Sequence, residues 1–334
     1  MNSVVVILIF GAIMSLAAAS LPHIIWLLGY PLSKLAGRHL NYTPFAYISI
    51  GLAAAVILAL AYGFFFGRWN LEVNKLEYHN NGLPASFNGF RIVHISDLHL
   101  KMFSNAPDKL QAIIDTINAQ QADLVCFTGD LITINQTEAD ECSHILKGIK
   151  AKYGVASVLG NHDFLVYGDN YETDEERYKA VDELAQFERN ELGWNLLRDS
   201  SMVISSNDGR SITIVGVDNK NFANQEGFKT VNEGNLNKAM SGVSGFTILL
   251  THDPMHWDFE VLPQTGIPLT LSGHTHNAQV SLFGWSPASL MFKRAYGLYT
   301  VANQSIYVNP GLSCTIPFRI GSRPEITVIT LKCR

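Results

Sequence analysis

Seven side chains in this sequence carry nitrogen or oxygen donors suited to a transition-metal ion, and they cluster in short motifs. These are Asp97-Leu98-His99, Gly129-Asp130, Gly160-Asn161-His162-Asp163, Thr251-His252-Asp253 and Gly273-His274-Thr275-His276. Singly each says little: a Gly-Asp pair is usually a turn, and a buried histidine is usually a hydrogen-bonded core residue. Together they offer oxygens from Asp97, Asp130 and Asn161, and imidazoles from His99, His252, His274 and His276. Imidazole with carboxylate and no thiolate suits Mn, Fe or Zn rather than Ca or an iron–sulfur cluster. One carboxylate shared between two cations holds them at roughly the 3.5–4 Å used in two-metal hydrolysis. In extended backbone, residues i and i+2 point the same way, so Asp-x-His and His-x-His can each aim two donors at one site. The glycines before Asp130, Asn161 and His274 permit sharp turns and close backbone approach.

The elements that must position these groups are readable from periodicity. Apolar runs at 90–96, 122–128 and 155–159 predict buried strands, each ending at a motif. Helical spacing of Leu110, Ile113, Ile114 and Ile117, and of Cys142, Ile145, Leu146 and Ile149, predicts helices over 107–121 and 138–152. That βαβαβ order marks an α/β sheet, which places ligands beyond the carboxyl ends of its strands. An acidic helix is expected over 172–191. Beyond it the chain turns strand-rich, with strands expected at 202–206, 211–217, 246–251, 269–272, 305–309 and 326–331.

All five motifs, in this order, resemble those of the calcineurin-like metallophosphoesterase superfamily: D-x-H, G-D, G-N-H-[DE], H and G-H-x-H. The resemblance covers about 90–329. It implies an α/β fold with a two-sheet β-sandwich flanked by helices, and a hydrolase of phosphoric esters or pyrophosphates. It further implies two divalent ions, one held by Asp97, His99 and His276, the other by Asn161, His252 and His274, with Asp130 bridging. His162 would meet the scissile phosphate or protonate the leaving oxygen, with Asp163 supporting it. Gly273 to Gln279, Tyr307-Val308-Asn309-Pro310-Gly311, Pro317-Phe318-Arg319 and Arg323-Pro324-Glu325-Ile326 are similar to a membrane-associated branch. That branch includes UDP-2,3-diacylglucosamine pyrophosphatases and related bacterial phosphodiesterases. Asn277-Ala278 departs from the Gly-Gly usual there.

The N-terminal region is of a different kind. Val4 to Leu28 is almost wholly apolar, and Phe45 to Gly67 carries no charge. Each exceeds the roughly 20 residues needed to cross a hydrocarbon core. Ala17-Ala18-Ala19-Ser20 could pass for a signal-peptide cleavage site. No Lys or Arg precedes the run, however, and the apolar stretch resumes after Ser20. The expectation is therefore a retained anchor of two transmembrane helices over 1–69, the first kinked at Pro22. A polar linker is expected over 70–89 and the hydrolase domain over 90–334. Lys34 and Arg38 lie on one candidate side, Arg68 and Lys75 on the other, so positive charge does not orient the anchor. Cys126, Cys142, Cys314 and Cys333 form no CxxC pair and read as small buried hydrophobes, favouring a reducing compartment. A bacterial cytoplasmic membrane with the catalytic domain facing the cytosol is the expected location.

A formal charge of −5 argues against a nucleic-acid partner, which would demand clustered Lys and Arg. Two helices without intramembrane charge offer no ion path. The complete donor set disfavours a non-catalytic scaffold. The expected substrate is a phosphodiester or pyrophosphate, lipid-linked as in lipid A synthesis, with an exported cell-envelope substrate as the alternative. Leu282 to Tyr299, rich in Leu, Phe, Trp and Tyr around Lys293-Arg294, is expected either to fold back onto the sandwich core or to form a site rim that meets lipid, with Lys293-Arg294 facing anionic headgroups.

Overall fold

The structure is a computed structural model and describes residues 3–168, 171–221 and 231–334. The chain divides into two compact units. The smaller holds α1 (Ser3–Leu35) and α2 (Thr43–Phe65), together with the segment Ile316–Gly321. At about 1.5 Å per residue both helices exceed the roughly 30 Å of a bilayer core. α1 runs on through Pro22 and Pro31. Leu16, Leu28, Ile50 and Leu58 are among many large apolar side chains facing outward, an arrangement that suits lipid and not water. Both helices are long and apolar enough to cross a membrane. Trp26 packs against Tyr30 and Tyr42 at one end of the pair, and Arg68 lies over Phe64 and Trp69 at the other. Aromatic groups at both ends suit the two membrane–water interfaces. Ile316–Gly321 packs on this pair: the Arg319 N–H donates to the Gly63 carbonyl at 3.2 Å, and Phe318 stacks on Phe10 with centroids 5.4 Å apart. A Cβ at Gly67 would collide with the Arg319 carbonyl, so only glycine admits this approach.

The larger unit is a sandwich of two six-stranded sheets. The first comprises β1 (Glu72–Asn80), β2 (Arg91–Ile95), β3 (Leu124–Phe127), β4 (Val155–Ser157), β5 (Asn195–Leu196) and β12 (Glu325–Cys333), in the order β1-β12-β2-β3-β4-β5. The second comprises β6 (Ser200–Ser205), β7 (Ser211–Gly216), β8 (Phe246–Leu250), β9 (Leu269–Ser272), β10 (Gly297–Val301) and β11 (Gln304–Val308), in the order β10-β11-β9-β8-β7-β6. Ile92, Leu124 and Ile329 of the first sheet meet Ile214, Ile248 and Leu271 of the second in one buried core. Each fully buried side chain of this kind contributes about 1.5–3 kcal/mol. The second sheet buries its other face with Leu249 and Val308 against Trp257 and Val261. Helices α3 (Pro107–Ala119), α4 (Thr137–Leu146) and α5 (Asp174–Gln186) bury apolar stripes, α3 through Leu110, Ile113, Ile114 and Ile117.

Residues 70–89, expected as a linker, instead contribute β1, which pairs in parallel with β12 from Glu72↔Glu325 to Asn80↔Cys333. The segment is polar because it is an edge strand, where charged side chains deter further pairing. Tyr78 is its buried anchor, donating to the Pro268 carbonyl at 2.5 Å. Asn74 donates to the Tyr307 hydroxyl at 2.8 Å. β10 is likewise an edge strand and occupies the end of the segment expected to be rim.

Candidate metal centre

β2, β3 and β4 run parallel, as do β8 and β9, so their carboxyl ends gather the motif residues of both sheets. The chain leaves these strands abruptly. Asp97, His99, Asp130, His274 and His276 all have φ between 43° and 74°, in the left-handed region. Non-glycine residues there are strained, and such strain concentrates at functional sites. Two glycines make the crossing possible. A Cβ on Gly160 would strike the Asp130 carboxylate, and one on Gly273 would strike Ser96 and Asp97.

Hydrogen bonds then fix each donor. Asp97 accepts the His274 N–H on Oδ2 at 3.1 Å, while its buried Oδ1 has no hydrogen-bond partner. That oxygen faces His276 Nε2 at 3.4 Å and His99 Nε2 at 3.9 Å, and the two ring nitrogens are 3.1 Å apart. Asp130 accepts the His162 N–H on Oδ1 at 2.9 Å. Its Oδ2 lies 3.2 Å from His252 Nε2 and 3.6 Å from His99 Nε2. His252 donates from Nδ1 to the Thr128 carbonyl at 2.7 Å, and its Nε2 sits 3.1 Å from His274 Nδ1. Asp97–His99–His276 and Asp130–His252–His274 are thus two convergent donor groups; His99, Asp130 and His162 form a third. Asp130 lies between the first two. Asn161 is buried, its Oδ1 also without a partner.

Lone pairs aimed at one another in a dry site need a positive charge among them. Burial works against a charged His252, but the Asp130 carboxylate outweighs it and pushes the imidazole up to about 10. Burial would likewise raise Asp130, yet His252 and His162 hold it well below the carboxylate range. Burial, reinforced by the neighbouring His162, pulls His99 down to about 3, leaving its ring a neutral donor. Two borderline divalent cations fit this donor set.

A model of the calcineurin-like phosphoesterase family matches residues 90–278. The chain belongs to that family. It is a metal-dependent phosphoester hydrolase. Among its relatives is an uncharacterized metallophosphoesterase of Bacillus subtilis, YkuE, 32% identical over 84% of this chain and 94% of that one. A transmembrane protein with metallophosphoesterase domain from Danio rerio is 30% identical over 85% of this chain and 62% of its own length. The UDP-2,3-diacylglucosamine pyrophosphatase LpxG of Chlamydia trachomatis is 27% identical over 85% of this chain and 98% of its own.

Within this phosphoesterase site His162 and Asp163 part company. His162 donates from Nδ1 to the Thr133 carbonyl at 2.6 Å and stands edge-on to His99, so its Nδ1 is committed and its Nε2 is not used in that bond. Asp163, expected to support His162, instead accepts backbone N–H groups of Gly160, Asp130, Leu131 and Ile132 at 2.8–3.1 Å. It is a fully buried carboxylate that holds the loops after β3 and β4 together. Glu138, which sequence reading placed merely at a helix start, does similar work. Its carboxylate accepts N–H groups of Lys101, Thr133, Ile134 and Asn135, fixing the carbonyl that His162 uses. Asp253 presents a buried, unpartnered Oδ2 3.9 Å from His274 Nε2. The motif Thr251-His252-Asp253 thus brings a carboxylate behind the His274 ring, at a distance beyond a hydrogen bond.

The segment 282–299 borders the ligand loop. Phe292 sets its ring edge against His274 with centroids 5.6 Å apart, and Thr275 Oγ1 donates to the Ala295 carbonyl at 2.6 Å. Leu282, Phe283, Trp285, Leu290 and Met291 are all more than half exposed. Arg294, expected to face anionic headgroups, turns inward between Trp257 and Tyr299 beside Asp258. Only Lys293 of that pair keeps its side chain largely exposed.

Proposed function

We propose that this phosphoesterase hydrolyses a phosphodiester or pyrophosphate bond in a lipid-linked substrate such as a nucleotide-linked diacylated sugar. The observation that carries the lipid part is the exposed apolar lip at Leu282, Phe283, Trp285, Leu290 and Met291, joined to the ligand loop through Phe292 and His274. A scattered apolar residue on a surface is ordinary, but a contiguous group beside a reaction centre marks a binding surface. Two helices able to span a membrane in the same chain, and the activity that the LpxG name states for that relative, support the same reading.

In this proposal Asp97, His99 and His276 hold one Mn, Fe or Zn ion and Asn161, His252 and His274 the other, with Asp130 between them. When bound, the pair supplies Lewis-acid stabilisation of a phosphoryl group and a water nucleophile at neutral pH. Asp130 keeps the two donor groups in register. His162, its Nδ1 committed to Thr133, uses Nε2 to meet a phosphoryl oxygen or protonate the departing one. Asp163 and Glu138 keep those groups in place and move no proton. The apolar lip holds acyl chains while the donor loops take the phosphate. We assign the protein to a bacterial cytoplasmic membrane with this unit facing the cytosol, where nucleotide-linked lipids are made.

The test compares hydrolysis of UDP-diacylglucosamine and bis-p-nitrophenyl phosphate, with Mn²⁺, by wild type and by Trp285→Ser/Leu290→Ser. Phe292 stays in place because it touches His274. The variant should lose at least ~10-fold on the diacylated substrate, about 1.4 kcal/mol of binding, and stay within twofold on the soluble one. Equal losses on both would refute the lipid assignment.

A further inference from the structure

We propose that Tyr167 is a positioning residue for the second metal position, its hydroxyl holding the Asn161 amide so that Oδ1 and not Nδ2 faces the ion. This rests on the two-metal reading above.

An amide is an ambiguous ligand. Its oxygen can coordinate a cation and its NH2 group cannot, yet the two ends have nearly the same shape. Aspartate in the same place needs no such orientation, since either oxygen serves. A site that uses asparagine therefore needs something that grips the nitrogen end. Tyr167 does so: Asn161 Nδ2 donates to the Tyr167 hydroxyl at 2.9 Å. The opposite end, Oδ1, is buried with no hydrogen-bond partner. An unmet buried acceptor is costly, and a cation removes that cost.

Local structure holds the phenol where this bond requires it. After His162 the chain turns sharply, with the Leu165 N–H donating to the His162 carbonyl at 2.9 Å and Leu165 at φ 59°. Phe164, Leu165 and Val166 are buried and anchor the turn. Tyr167 itself is 41% exposed, so burial alone does not fix its ring. The ring lies against His162, centroids 4.4 Å apart and planes 32° apart. One tyrosine thereby touches both Asn161 and His162, joining the second donor group to the residue assigned to the phosphate.

Tyr167→Phe keeps the ring and its contact with His162 and removes only the hydroxyl. Calorimetric titration of metal-stripped protein with Mn²⁺, without substrate, reads the consequence directly. Wild type should take up two equivalents. Tyr167→Phe should bind the first as wild type does and the second ~10–100-fold more weakly, the size found for lost partners of metal ligands. Its Tm without metal should be unchanged. The decisive comparison is in an Asn161→Asp background, where either carboxylate oxygen can face the ion. There Tyr167→Phe should leave the second affinity unchanged, whereas a merely structural tyrosine would matter equally in both backgrounds. Two equally tight Mn²⁺ ions in Tyr167→Phe, or a loss that persists beside Asn161→Asp, would overturn the role of Tyr167 and leave the two-metal reading standing. A wild type that binds fewer than two equivalents would overturn both.

Discussion

Replacing Asp163 by asparagine separates a structural carboxylate from a catalytic one. In the wild type Oδ1 accepts from Leu131 and Ile132, and Oδ2 accepts from Asp130 and Gly160. The amide of Asp163→Asn could satisfy one pair with its oxygen, but its NH2 group would then face two N–H donors across a dry gap. Each orphaned buried donor costs about 1–3 kcal/mol, so the substitution should cost roughly 2–6 kcal/mol. Loss of a charge-assisted acceptor pushes the figure toward the upper end. For a unit of this size each kcal/mol shifts Tm by about 2–4 °C, which predicts a fall of about 4–24 °C. Thermal unfolding of the metal-free protein, followed by circular dichroism, measures it without interference from ligand linkage. Turnover should fall only as far as metal occupancy falls, because Asp163 has no bond to the His162 ring that chemistry would miss. An Asp163→Asn protein that melts within about a degree of wild type but has lost turnover at full metal occupancy would refute this assignment and restore Asp163 as a partner of His162.

Asp130→Ala should strip both ions and abolish activity, since Asp130 faces both donor groups; full metal occupancy by elemental analysis would refute the bridging role. His162→Ala should lower turnover at least ~100-fold with metal content near normal, the size expected of a lost acid or charge-stabilising group. Proportionate loss of metal would instead make His162 a ligand. Two buried histidines contribute stability to the metal-free protein that is lost as pH falls from about 6.5 toward 4, while buried carboxyls such as Asp163 and Glu188, which burial raises to about 7 and about 8, act in the opposite sense. Burial pulls His94 down to about 3 and His256 down to about 4, so the unfolded chain takes up protons in that window before the folded one does. Of the urea midpoints at pH 7.5, 6 and 5, the His94→Gln values should gain relative to wild type as pH falls, and an identical pH dependence in the two proteins would remove His94 from the account.

The donor set was legible because its chemistry is written in short motifs that follow apolar strands. Strand length and residue type were enough to place Asp97, Asp130, Asn161, His252 and His274 at carboxyl ends. What sequence could not carry was the partnership behind those donors. Asp163 follows His162 in the chain, and adjacency suggested support for the imidazole; the four N–H groups that claim it come from loops whose approach depends on the sheet. Tyr167 left only the faint signal of a tyrosine six residues after Asn161. β1 was hidden by its composition, since an edge strand keeps polar residues that a linker would also show. Asn277 and Ala278 depart from the glycines usual in the resembling branch, and both sit at φ near 50°. The chain tolerates there a backbone cost of about 1–2 kcal/mol per residue that glycine would avoid.

The short run Ile316–Gly321 gives the two N-terminal helices a second occupation. Its Phe318 and Arg319 are buried, and Gly63 and Gly67 are kept bare of side chains to receive the Arg319 backbone. Cutting the chain before Leu71 to obtain a water-soluble enzyme would discard the surface on which those residues fold. A trimmed protein should thus be sticky at Phe318. For purification, the helices are best kept as the packing surface of Ile316–Gly321, with detergent to cover their outward apolar side chains.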